Sequence, residues 1–192
     1  RRCRPMLLPV LATAALPFRL PIEAGGSTSN LLVPLYLVVA AGALAYVFER
    51  LRPGAEPEPP PKPTPLEWVL LGAVVLYALG AAYSTDFSKA LEQVVFFYVP
   101  FALLFVQLRE VEWTRVLALR CLGVLVALAL VFVGIGFVEY SARELLFNPK
   151  VIDSNQFESY FRVNSLFFDP NIYGRFLAVV MIGVAAAMIW AG

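Results

Sequence analysis

At 192 residues, 60% of them hydrophobic and 15% charged, with a mean hydropathy of +0.75, the chain has too little polar surface to coat a body of this size in water. The absence of histidine excludes Ser/His/Asp and Cys/His catalysis and His-ligated metal sites within this chain, and the distant Cys3 and Cys121 offer neither a disulfide framework nor metal-ligand spacing. A net charge of +1 leaves no basic face for nucleic acid, and the excess apolar side chains must face lipid, as in an integral membrane protein.

A bilayer core of about 30 Å takes roughly 20 apolar residues as a helix, since only helices and closed barrels satisfy every backbone group in lipid. The first apolar stretch, residues 6–16, is short and interrupted by Pro9. Residues 31–48 carry no charge and make a credible span. Residues 52–65 then read RPGAEPEPPPKPTP, with seven prolines, so 53–65 is an extended, solvated linker on the cytoplasmic side. Further uncharged spans follow at 68–84 after Glu67, at 94–106 after Glu92 and Gln93, at 121–138, and at 176–192. These runs lack the period-2 alternation of a barrel. The expected fold is all-α, a polytopic transmembrane helical bundle of about six spans. A chain that begins at Arg1 and stops at Gly192 inside an apolar stretch reads as a fragment of a longer protein.

Short loops rich in lysine and arginine stay in the cytoplasm. Arg1, Arg2 and Arg4, then Arg50, Arg52 and Lys62, then Arg109, Arg115 and Arg120 occupy alternate connections, nine in all. The other side holds six: Arg19, Lys89, Arg143, Lys150, Arg162 and Arg175. This bias places the N-terminus in the cytoplasm and the long connection, residues 139–171, outside it.

That connection is polar yet keeps Phe147, Phe157, Tyr160, Phe161, Phe167 and Phe168, a mixture suited to the headgroup zone. Residues 142–147 form an expected short interfacial helix stopped by Asn148 and Pro149. Asp169 is placed to cap a helix whose first residue is Pro170, because proline has no donor to lose there and the carboxylate accepts free amides. The last span therefore begins at Asp169-Pro170-Asn171, and Asp169 reads as a cap rather than as an acid or base. Arg162 lies a few residues before that start and Arg175 within its first turns. A guanidinium beside a helix N-terminus matches phosphate oxygens, so the two arginines suggest a diphosphate cradle. On physics alone, Arg162 serves equally well as an anchor to lipid headgroups.

The run Arg162-Val163-Asn164-Ser165-Leu166-Phe167-Phe168-Asp169-Pro170-Asn171-Ile172-Tyr173-Gly174, leading from a long outer loop into an apolar helix, resembles the O-antigen ligase and polymerase family. The pattern is an arginine, a small residue three positions on, and (Asn/Asp)-Pro-Asn with glycine close behind; Ser165 stands where glycine is common. Residues 17–39 look like the first outer loop and second span of such proteins. The resemblance implies that residues 1–192 are the N-terminal half of a polytopic membrane glycosyltransferase in the bacterial inner membrane. Its donor would be a glycan on undecaprenyl diphosphate, and its acceptor a lipid A core sugar or another glycan, in lipopolysaccharide or other cell-surface polysaccharide assembly. No metal or other cofactor is implied. By position, Arg162 matches the family's functional arginine, which would bind the donor diphosphate and stabilise charge on the leaving group. Asn171 would assist in substrate binding, and Asp169, Pro170 and Gly174 would be the motif's structural part. Arg175 has no family counterpart, and its substrate-binding role rests on the physical argument. The family also uses a histidine from its second half, absent here, so this stretch alone is expected to be inactive.

A transporter or flippase for lipid-linked glycans is the alternative, since it shares the spans and the substrate. Transporters place broken helices and ionisable groups near the midplane. Here Gly134 and Gly136 are the obvious soft point deep in a span, and charges lie near span ends. A noncatalytic assembly subunit is a third reading, and it predicts an expendable outer loop.

Overall fold

A computed structural model describes residues 6–24, 27–51, 63–144, 161–167 and 169–191. Among these, helices dominate: α1 (Leu7–Ala15), α2 (Val33–Leu51), α3 (Pro65–Ala82), α4 (Phe87–Gln93), α5 (Val99–Arg109), α6 (Arg115–Ala142) and α7 (Pro170–Ala191). Strands β1 (Leu20–Ala24) and β2 (Ser27–Leu31) pair in a two-stranded sheet within the stretch read as the first outer loop. A π-helical turn, Val94–Tyr98, joins α4 to α5 without a break.

The protein is an all-α helical membrane bundle. Pro65–Ala82, Phe87–Arg109, Arg115–Ala142 and Pro170–Trp190 are each long and apolar enough to cross a bilayer, and the apolar part of α2, Val33–Phe48, is shorter. This differs from about six spans chiefly at the N-terminus. The nine residues of α1 rise only about 14 Å, half of a bilayer core. Pro9 is tolerated in its first turn, where amides are unpaired anyway, and Pro17 ends it just after Leu16 N–H reaches Ala12 O at 3.0 Å.

Two other boundaries move. Pro65 is the first residue of α3 rather than the end of the linker, and residues 53–62 lie outside the described residues. Residues 139–142 belong to α6, so no separate helix starts at Ala142, and residues 145–160 lie outside the described residues. Cys3, Phe168, Gly192 and the basic residues Arg1, Arg2, Arg4, Arg52, Lys62 and Lys150 also lie outside them.

The chain divides into two compact units: the described residues of Arg1–Leu8 and Pro21–Glu112, and those of Pro9–Leu20 and Trp113–Gly192. In the first, α2 packs on α5, and α3 runs along α4, the π turn and α5. Gly42 allows a close approach: the Gln107 amide Nε2 donates to Val39 O at 2.9 Å, and a Cβ on Gly42 would collide with Gln107 Oε1. At the start of α3, Thr64 N–H donates to Glu67 Oε2 at 2.7 Å, while Glu67 Oε1 pairs with Arg109 Nε at 2.7 Å. The first turn of α3 and the last turn of α5 therefore meet. An apolar groove of about 570 Å³ lies between α3 and α5, walled by Trp68, Leu71, Tyr77, Tyr98, Phe101 and Phe105.

The π turn has a local cause. Val99 N–H donates back five residues to Val94 O, and Pro100, next in line, has no N–H to return the ladder to the α register at once. In the second unit, α6 begins on Thr114, whose Oγ1 accepts from Leu117 N–H at 3.2 Å. Helices α6 and α7 pack together, and the Arg115 guanidinium lies 5.2 Å from the Trp190 ring centroid, so they run antiparallel. Ala129, Phe132, Gly136 and Glu139 are buried on α6, spaced three, four and three, which places them on one stripe.

Candidate functional site

At about 1.5 Å per residue the uncharged run 121–138 covers roughly 27 Å, close to a bilayer core, and Glu139 follows at its end. Glu139 is completely buried. Three residues later, at Ala142, α6 ends, and Arg143 after it adopts a left-handed φ of 57° and sets its guanidinium 4.7 Å from the Tyr140 ring centroid and 5.8 Å from that of Phe161. Residues 161–167 thus lie back against α6.

Gly136 makes room for them. A Cβ there would meet Val163 Cγ1 at 2.8 Å and Tyr173 Oη at 3.1 Å. Without it, the carbonyl of Phe132, one turn earlier, is open to further donors. It accepts from Ser165 Oγ at 2.9 Å and from Tyr173 Oη at 3.3 Å. The Ser165 amide donates to Glu139 Oε2 at 2.8 Å.

Ser165 is also the strained point of the segment. Phe167 N–H closes a turn onto Asn164 O at 3.0 Å, and Ser165, first of its two central residues, has φ 52°. Positive φ at that position alone is the type II′ arrangement, which favours glycine. The Ser165 Oγ bond to Phe132 O helps to hold this conformation. Beside it, Asn164 is 1% exposed, and neither Nδ2 nor Oδ1 has a hydrogen-bond partner. Aromatic rings close the cluster: Phe132 meets Phe167 at 5.3 Å, Phe176 at 5.5 Å and Phe18 at 6.0 Å, and Phe167 stacks on Tyr173 at 5.7 Å.

A buried carboxylate at the end of an apolar helix costs several kcal/mol unless it is hydrogen-bonded or paired. The Ser165 amide supplies one charge-assisted bond. What the arrangement can do is hold a short irregular segment firmly where the apolar part of α6 ends. Among the described residues no group of three or more His, Cys, Asp and Glu is placed to hold a metal ion.

Arg162 sits on this segment, half-buried, three residues before Ser165. Asp169 caps α7 as expected: Asn171 N–H donates to its Oδ1 at 2.7 Å, and the Ile172 and Tyr173 amides reach its carbonyl at 3.0 and 3.2 Å. Pro170 is the first residue of α7. Asn171, Gly174 and Arg175 are exposed, whereas Tyr173, Phe176 and Val180 face α6 or are buried. Arg162 is thus half-buried on the segment that returns to α6, and Arg175 is exposed on α7 together with Asn171, four residues away. Gly174 has open space around it, so no packing in the described residues requires glycine there.

Sequence reasoning passed over Glu139, Asn164 and Tyr173. A signal for Glu139 was present, since it is the only charged residue between Arg120 and Arg143 and follows Phe132 and Gly136 at spacings of seven and three. Comparison of the chain with protein-family models, with curated proteins and with solved structures gives no match in any of the three.

Proposed function

We propose that the chain is part of a membrane glycosyltransferase that takes an oligosaccharide from an undecaprenyl-diphosphate carrier and passes it to a glycan or a lipid A core acceptor, in the manner of O-antigen ligases and polymerases. It would sit in the bacterial inner membrane with a cytoplasmic N-terminus. The observation that carries the reading is Arg162, half-buried on a segment fastened to α6 where that helix's apolar run ends. An anionic headgroup of a lipid carrier lies at that depth. Breaking the sugar–phosphate bond leaves negative charge on phosphate oxygens, and a fixed guanidinium stabilises that charge more in the transition state than in the ground state. Arg175 and Asn171, on the outer side of α7, would contact the substrate away from the reacting bond.

Replacing Arg162 with Ala or Lys in the intact protein, and following glycan transfer from an undecaprenyl-diphosphate donor, tests the assignment. Loss of about two orders of magnitude in turnover is expected, the scale of removing one oxyanion-type donor. Unchanged transfer removes Arg162 from the site.

A flippase for the same lipid-linked glycan is favoured by one feature, the π turn and Pro100 in the middle of Phe87–Arg109. That span carries no Asp, Glu, Lys or Arg between Glu92 and Arg109, whereas the enzyme reading has an arginine beside an ordered polar cluster.

A further inference from the structure

We infer that Glu139 is the positioning residue of Arg162, acting through the Ser165 amide. The inference rests on the reading of Arg162 as a diphosphate-binding residue. Three attachments fall within the three residues after Arg162: Val163 in the notch left by Gly136, the Ser165 hydroxyl on Phe132 O, and the Ser165 amide on Glu139. The last involves a charged acceptor, and it holds the left-handed residue whose conformation sets the direction in which the chain leaves toward Arg162.

The position of Glu139 argues against a role in packing alone. Its stripe on α6 is otherwise Ala129, Phe132 and Gly136, and an apolar residue there would pack without the cost of burying a carboxylate. A carboxylate is the side chain that can both reach across to an irregular segment and bind its amide strongly. Small errors in the placement of a charge-stabilising group cost about a hundredfold in rate, so fixing Arg162 has a large effect on what it can do.

The test measures binding of undecaprenyl diphosphate to the intact protein in lipid nanodiscs, with Glu139→Gln, Glu139→Asp, Glu139→Ala and Arg162→Ala, and with the double variant Glu139→Ala/Arg162→Ala. Thermal unfolding of each variant sets a temperature at which all are folded. Glu139→Gln keeps the length and an acceptor oxygen, and is expected to bind within about threefold of wild type. Glu139→Asp keeps the charge but falls short of the amide, and is expected to weaken binding about tenfold, as is Glu139→Ala. The double variant should bind no worse than Arg162→Ala, because the two residues act as one unit. Glu139→Asp serves if Glu139→Ala fails to fold. Arg162-dependent binding that is indifferent to Glu139, or single effects that multiply in the double variant, overturns this inference and leaves the proposed function standing. Binding that does not depend on Arg162 overturns both.

Discussion

The hydroxyl of Tyr36 donates to the backbone carbonyl of Phe96, the acceptor that Pro100 leaves without its helical amide. A side chain on α2 thus completes the hydrogen bonding of a neighbouring span at the point where that span passes through a π turn. The Tyr36 and Phe96 rings lie 6.4 Å apart and add to the same contact. Tyr36→Phe keeps the ring and removes only the donor. It is expected to destabilise the protein by about 0.5–2 kcal/mol, the range for interhelical hydrogen bonds in membranes. Thermal unfolding in one detergent, wild type beside variant, measures the loss, and equal midpoints would show that Phe96 O finds another donor.

Two glycines on packed helices should respond in opposite directions. Gly136→Ala puts a methyl group 2.8 Å from Val163 Cγ1 and 3.1 Å from Tyr173 Oη, so it should cost about 1–3 kcal/mol. Gly174→Ala meets nothing within 4 Å and should stabilise α7 by about 1 kcal/mol. Unfolding midpoints that move the same way for both would contradict the packing described for Gly136.

The Asn164 carboxamide is buried with both of its polar atoms unpaired. Each such atom costs about 1–3 kcal/mol, whereas an apolar side chain of similar size has no such penalty. Asn164→Leu is therefore expected to raise the unfolding temperature. A lowered midpoint would mean that the carboxamide is hydrogen-bonded in the membrane-embedded protein.

Asp86 lies outside the spans, and its carboxylate accepts the Lys89 amide at 3.2 Å and pairs with the Lys89 ammonium at 3.2 Å. The amide bond first, and then the ammonium, hold its pKa below the ordinary 3.8. A depressed folded-state pKa means that this cap stabilises α4 fully above pH 3.8 and is lost as pH falls through the lower, folded value. Hydrogen exchange at the Lys89 amide, corrected for the intrinsic rate, should show protection falling only as the pH drops below 3.8 in wild type. Asp86→Asn should show no such pH dependence.

The spans were legible because lipid imposes long uncharged runs, and Asp169-Pro170 was legible because capping is written in three adjacent residues. The polar cluster was not, for physical reasons. Glu139 closes an apolar run and was read as the first residue of a loop, since nothing in the local sequence tells whether a terminal carboxylate faces water or a returning segment. Ser165 has a φ of 52°, a conformation that no neighbouring residue in the sequence announces. Asn164 and Tyr173 depend on contacts across the long connection, which no local pattern encodes. Pro9 was read as interrupting a span, whereas the limit on α1 is its length, cut off by Pro17. Pro100 sits inside a predicted span and, lacking an amide, shapes the π turn.

Glu67 has two partners at very different distances along the chain. Its first partner, the Thr64 amide, is three residues away and becomes available as soon as α3 coils. Its second partner, Arg109, lies forty-two residues further along the chain and reaches the carboxylate only where the last turn of α5 lies beside the first turn of α3. One carboxylate therefore serves both as the local cap of α3 and as the clasp between the two ends of the hairpin, so its loss would loosen a helix start and a helix–helix contact together.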